Sequence, residues 1–220
     1  MTVQMVCGQE AGVPKKKKSK PLLRLLCVRS LAEDDKVILA SKTKKGEWKE
    51  HQEITLRSPF ITDWIEISQG VFYLTKRQKD KLVSLGSFTI PANMKRAIVV
   101  LRPLPNKKAY ATNLVDPTQL DFRSGKALVM NFSNIPAVVK TGEQSIKLVQ
   151  PGKKAILPIT NGEKRMYRML VGYKNKSNSL VACYDRYVSA NPKARKFILV
   201  FPDPDTRLRV VSLSEFGPFK

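Results

Sequence analysis

The sequence predicts an all-β protein built from two similar halves. Three observations carry this: short apolar or alternating runs bounded by turn residues, no sustained 3.6-residue period, and one segment that occurs twice. The 220 residues are 42% hydrophobic, enough to fill real cores, and the length suits two β-sandwich-like halves, in tandem or packed as one larger sandwich.

After a lysine run, residues 22–29 (LLRLLCVR) form an apolar stretch of strand length. Residues 37–41, 53–56, 64–67, 71–74 and 82–90 continue the series, and Gly46, Ser58-Pro59, Gln69-Gly70 and Gly86 punctuate it. The stretch 46–51, with His51, reads as a loop or hairpin, and the polar spacing over 74–85 hints at one short helix. The repeat is the strongest signal: ANMKRAIVVLRPLP at 92–105 returns as ANPKARKFILVFPDP at 190–204, with a one-residue slip. Each copy has Ala-Asn, a basic turn, a strand apolar on both faces and a Pro-x-Pro corner, where proline stops the ladder for want of an N–H. Alternating strands follow at 110–115 and 208–213, and the openings 22–30 and 127–134 match more weakly. The expected division is a leader (1–20), one half (21–116), a linker (117–125) and a second half (126–220).

Forty Lys and Arg against 18 Asp and Glu give a formal charge of +22. Each half carries an equal share, so the excess is not confined to the leader. Such a surface suits an anionic polymer or envelope surface, or serves as a solvated coat; both readings stand. Cys27 and Cys183 lie in apolar runs with no metal-ligand spacing and one histidine in the chain, so a zinc site is not expected; buried thiols are favoured over a disulfide. Val6-Cys7-Gly8 before Gln9-Glu10 fits a signal-peptidase site. It suggests a start codon inside a signal peptide and a periplasmic or secreted protein, with a cytoplasmic protein as the alternative. Lys15, Lys16, Lys17, Lys18 and Lys20 are read as a like-charge leader rather than a nuclear-localisation or membrane arm.

The stretches KALVMNFSNIP (126–136), IKLVQPG (146–152) and 195–204 resemble a loose group of small exported bacterial all-β proteins of unknown function. The resemblance covers most of the chain and rests on turns and strands. It implies export and a β-sandwich, and it carries no catalytic residue.

Catalytic signatures are not found. His51 has no nucleophile motif around it, Glu33-Asp34-Asp35 has no positioned partner, and nucleophile elbow, P-loop and dinucleotide fingerprints are missing. Asp203 and Asp205 offer too few oxygens for calcium and read as a tight turn. No enzyme, metal or cofactor is expected. Basic and aromatic residues mix in the second half. Lys164, Arg165, Arg168, Lys174, Lys176 and Arg186 are the candidate polyanion contacts, and Tyr167, Tyr173, Tyr184 and Tyr187 the candidate aromatic contacts. Alternation in a half-exposed strand produces the same composition. The expected function is a non-enzymatic envelope or secreted binding or structural module meeting an anionic surface or another envelope protein; the alternative is an intracellular nucleic-acid-binding protein.

Overall fold

The computed structural model describes residues 20–32, 35–104, 107–143, 146–159 and 166–217. The expected signal-peptide remnant and the Lys15 to Lys18 run lie outside the described residues. The described residues form seventeen strands and no helix. The first half comprises β1 (Leu22–Cys27), β2 (Asp35–Lys42), β3 (Trp48–Leu56), β4 (Phe60–Ile61), β5 (Ile65–Glu66), β6 (Gly70–Gln78), β7 (Lys81–Ile90), β8 (Arg96–Pro103) and β9 (Tyr110–Val115). The second comprises β10 (Lys126–Asn131), β11 (Ala137–Thr141), β12 (Lys147–Val149), β13 (Lys154–Pro158), β14 (Met166–Lys174), β15 (Leu180–Ser189), β16 (Ala194–Asp203) and β17 (Arg207–Phe216).

Each half is a sandwich of two sheets, and the duplication extends to topology. The inner sheets run β4-β1-β8-β9, with β5 also on β1, and β13-β10-β16-β17; the outer sheets run β3-β2-β6-β7 and β12-β11-β14-β15. In both halves the opening strand pairs in parallel with the strand of the repeated segment, β1 with β8 and β10 with β16. Alternate residues of these strands enter different cores. Leu23, Leu25, Ala97, Val99 and Leu101 face the first outer sheet, whereas Leu26, Ile98 and Val100 meet Leu128, Phe197 and Leu199 of the other half. The protein is therefore four layers deep, two sandwiches joined by their inner sheets. This explains why the repeated strands read as unbroken apolar runs: both their faces are covered.

One local expectation is corrected. Residues 74–85 are not helical. They form the tip of the β6–β7 hairpin, where Lys79 (φ 45°) and Asp80 (φ 62°) take the left-handed conformations a two-residue turn requires. The charges that suggested a helix sit on a tip wet on both faces. Of the two readings for 46–51, the hairpin holds: His51 lies on β3, paired antiparallel with β2.

Buried polar groups lock each half. Asp35, 2% exposed, accepts from the Tyr110 hydroxyl at 3.0 Å and the Lys76 ammonium at 2.7 Å, and the Leu31 N–H donates to Tyr110 Oη at 3.0 Å. In the second half Asn131 Nδ2 donates to the carbonyls of Ile135 and Val149 at 2.8 Å each, while its Oδ1 accepts from Ser133 N at 2.9 Å and Oγ at 2.7 Å. The Asn-x-Ser stretch is thus a satisfied buried network that fixes the turn into β11. Cys27 and Cys183 are free thiols set against different cores, the first half's and the second half's. Burial, with Asp35 adding to it, pushes the Cys27 thiol up to about 12.

Candidate functional site

The candidate contacts gather on the second outer sheet, which distributes them over its two surfaces. Along β14 the pleat sends Tyr167, Met169 and Val171 inward and Met166 and Arg168 outward. Tyr167 is 7% exposed, part of the core, and its buried hydroxyl has no hydrogen-bond partner among the described residues. Burial, with Tyr184 nearby, holds its phenol above the usual value. Tyr184 and Tyr173 are half-buried against the same core. The Arg186 guanidinium lies 5.9 Å from the Tyr184 ring, and that of Arg207 lies 5.3 Å from Tyr173. Tyr187 stands on the opposite surface, 69% exposed and directly across from Arg168. Lys174 and Lys176 are exposed where the β14–β15 hairpin turns. Lys164 and Arg165 lie outside the described residues.

Arg168 is committed to a neighbour. Its Nε and Nη2 reach the two oxygens of Asp185 at 2.7 and 2.6 Å, a bidentate pair across β14 and β15. The pairing holds the Asp185 carboxyl below its usual range and the Arg168 guanidinium above its own.

Around this pair the outward surface is apolar. Ile146, Leu148, Met166, Leu180 and Tyr187 are between 40% and 69% exposed. A cleft of about 670 Å³ runs over this face, walled by Ile146, Met166, Leu170, Leu180 and Tyr187 with Lys140 among them. Its size falls within the range of ligand-binding clefts. The first half supplies an internal comparison. Its corresponding outer sheet turns a charged strand to solvent, Lys49 through Glu53, with ion pairs Lys36–Glu53 at 3.6 Å and Arg77–Glu50 at 2.5 Å. Val71 and Val83 are its exposed large aliphatics. One fold built twice tolerates a polar outer face, so the apolar one is not a requirement of the fold.

Other residues weighed from sequence have structural partners. His51 Nε2 lies 2.8 Å from Ser41 Oγ and its ring 5.4 Å from that of Phe72; partial burial, then Lys49, lowers its proton affinity. Asp203 Oδ1 accepts from Asp205 N at 3.0 Å, Thr206 N at 2.9 Å and Thr206 Oγ1 at 3.1 Å, closing the β16–β17 turn. Among the described residues no three His, Cys, Asp or Glu side chains converge as metal ligands. No helix among them is long and apolar enough to cross a membrane.

No known family model matches the chain. No match is found among curated proteins either.

Proposed function

We propose that this protein is a non-enzymatic binding module whose second outer sheet takes an extended segment of another protein, apolar at its centre and acidic at its flanks. The observation that carries the reading is the contrast between the outer sheets: charged in the first half, exposed and apolar in the second. The cleft takes in both Leu180 and Tyr187, seven residues apart on β15, a spacing that an extended chain can span. Met166 and Tyr187 supply apolar contact, and the net charge of +22 draws acidic flanks by long-range attraction. Selection from a random peptide library on the purified protein tests this. Peptides with an apolar core and acidic flanks should be enriched, and Met166→Glu should release them. Enrichment of basic peptides, or retention by the variant, would refute the reading.

A second reading, contact with an anionic polymer or envelope surface, is favoured by the charge alone. Failure to bind heparin, lipopolysaccharide or DNA at low salt would end it. Export, also a proposal, rests on residues 6–10 and the resemblance to exported proteins. Recovery of a mature chain that keeps Met1 would count against export. That result together with salt-sensitive DNA or RNA binding would favour the nucleic-acid alternative.

A further inference from the structure

The faces by which the halves meet are apolar at their centre. At one end four ionised side chains enter the junction, and at the other the Arg102 guanidinium of β8 lies 4.3 Å from the Phe132 ring of the second half. Arg24 on β1 and Arg96 at the start of β8 share the parity of Leu26 and Ile98, and Arg195 on β16 shares that of Phe197, so all point toward the other half. Arg96 and Arg195 occupy matching places in the repeated segment, each seven residues ahead of the first corner proline. The duplication therefore brings two equivalent guanidinium groups to one place. Glu215 on β17 is the carboxylate set between Arg24 and Arg195, 4% exposed. Its Oε1 accepts from Arg24 Nη1 and its Oε2 from Arg195 Nε at 2.7 Å. Arg195 also donates to the Phe122 carbonyl at 2.7 Å.

Among the described residues, Arg24, Arg96 and Arg195 share a single carboxylate at this end. Both Glu215 oxygens are taken, and Asp121 is held by Arg123 at 3.1 Å and by Lys126. Arg96 has no carboxylate within ion-pair reach among the described residues; the Trp64 ring lies 5.7 Å from its guanidinium carbon. Burial holds Arg195 below its usual pKa and Glu215 opposes that, but Arg24 and Arg96 push in the same direction as burial. Uncompensated positive charge in a partly desolvated place is costly, and an anion relieves it. Space for one exists. Arg96, Arg123 and Arg195, with Thr118, Phe122 and the already paired Asp121, line a pocket of about 210 Å³ where linker and halves meet. It is smaller than the clefts that enclose drug-sized ligands. Guanidinium forks match the spacing of oxygens on a tetrahedral anion.

We propose that the junction pocket formed by Arg96, Arg123 and Arg195 is a binding site for a single phosphate or sulfate group, free or at the end of a larger molecule. The group bridges the two halves and supplies the missing countercharge. Thermal unfolding against inorganic phosphate and inorganic sulfate, with chloride at matched ionic strength, is the test. Free anion at about five times Kd raises Tm by about 2–4 °C. The rise should saturate and Arg96→Gln should abolish it. Generic anion exclusion stabilises both proteins without saturating. If Arg96→Gln does not fold, Arg123→Gln, whose parent side chain is 68% exposed, carries the test with an expected loss in affinity of about tenfold or more. Glucose 6-phosphate and vesicles containing phosphatidic acid separate a soluble source from a lipid headgroup. A response equal to that of chloride overturns the proposal, as does a saturable response that survives both substitutions. Met166→Glu, on the far outer sheet, should leave the anion response intact, so this outcome is independent of the peptide-docking reading.

Discussion

Replacing Phe197 by Ala tests whether the two halves are one cooperative body. Phe197 is 0% exposed on the face of β16 turned toward the first half, and its ring stands edge-on to that of Phe122 at 4.9 Å. Truncating a buried Phe costs about 3–5 kcal/mol, within which an aromatic edge contact counts for about 0.5–1.5 kcal/mol. For a chain of this size that lowers Tm by about 10 °C. Both tryptophans, Trp48 and Trp64, belong to the first half, although the substitution is in the second. In a Trp64→Phe background, Trp48, packed edge-on against Tyr73 at 5.2 Å, reports the first outer sheet alone. Urea unfolding followed by Trp48 fluorescence and by far-UV circular dichroism should give coincident midpoints, both displaced by Phe197→Ala. A Trp48 midpoint that stays put while the dichroism midpoint falls would refute the coupling, as would a total loss below about 1 kcal/mol.

Gly172→Ala should destabilise by about 1–3 kcal/mol or prevent folding, because its Cβ would lie 2.1 Å from the Val181 carbonyl oxygen at the β14–β15 bulge; chemical denaturation reads this. Cys27 couples stability to high pH: its thiol stays protonated up to about 12 in the fold but ionises near 8.5 when unfolded, so the unfolded chain binds fewer protons above that value. Wild-type stability should therefore fall relative to Cys27→Ala by up to about 1.4 kcal/mol per pH unit between about pH 9 and 12, in urea titrations of both proteins. The Asp185 carboxyl, depressed by its hydrogen bonds from Arg168, should titrate by NMR below the ordinary Asp range and return toward it in Arg168→Ala. The support this pair lends is present at neutral pH and lost as pH falls through the depressed value.

The fold class and the duplication were legible because apolar alternation and turn residues are local signals. The unbroken apolar runs at 97–101 and 197–201 showed strands covered on both faces. What covers the second face was not legible, since that depends on contacts such as Leu26 with Phe197 that no window contains. The β6–β7 tip was misread because Lys79 and Asp80 reverse the chain by backbone conformation, while their side chains suit a helix equally well. Composition found the basic and aromatic stretch of β14 and β15, yet could not say that Arg168 is tied to Asp185 or that Tyr167 turns inward. Of the junction arginines, Arg96 and Arg195 were visible in the basic turn that opens each repeated strand. Their convergence depends on how the halves stack.

The parallel pairing of β1 with β8 sets an order of events during synthesis. Residues 22–27 pair on one edge with 60–61 and 65–66, but their other edge stays open until 96–103 have emerged. Residues 126–131, paired on one edge with 154–158, wait in the same way for the segment beginning at 194. The first inner sheet is closed by Val115, but the side it shows the second half, with Leu26, Ile98 and Val100, lies bare until the last strand arrives. At ordinary translation rates of about 5–20 residues per second, an oily surface is on display for roughly 5–20 s. A nascent chain arrested shortly after residue 125 should therefore aggregate or recruit a chaperone, and release of the remaining residues should end both behaviours.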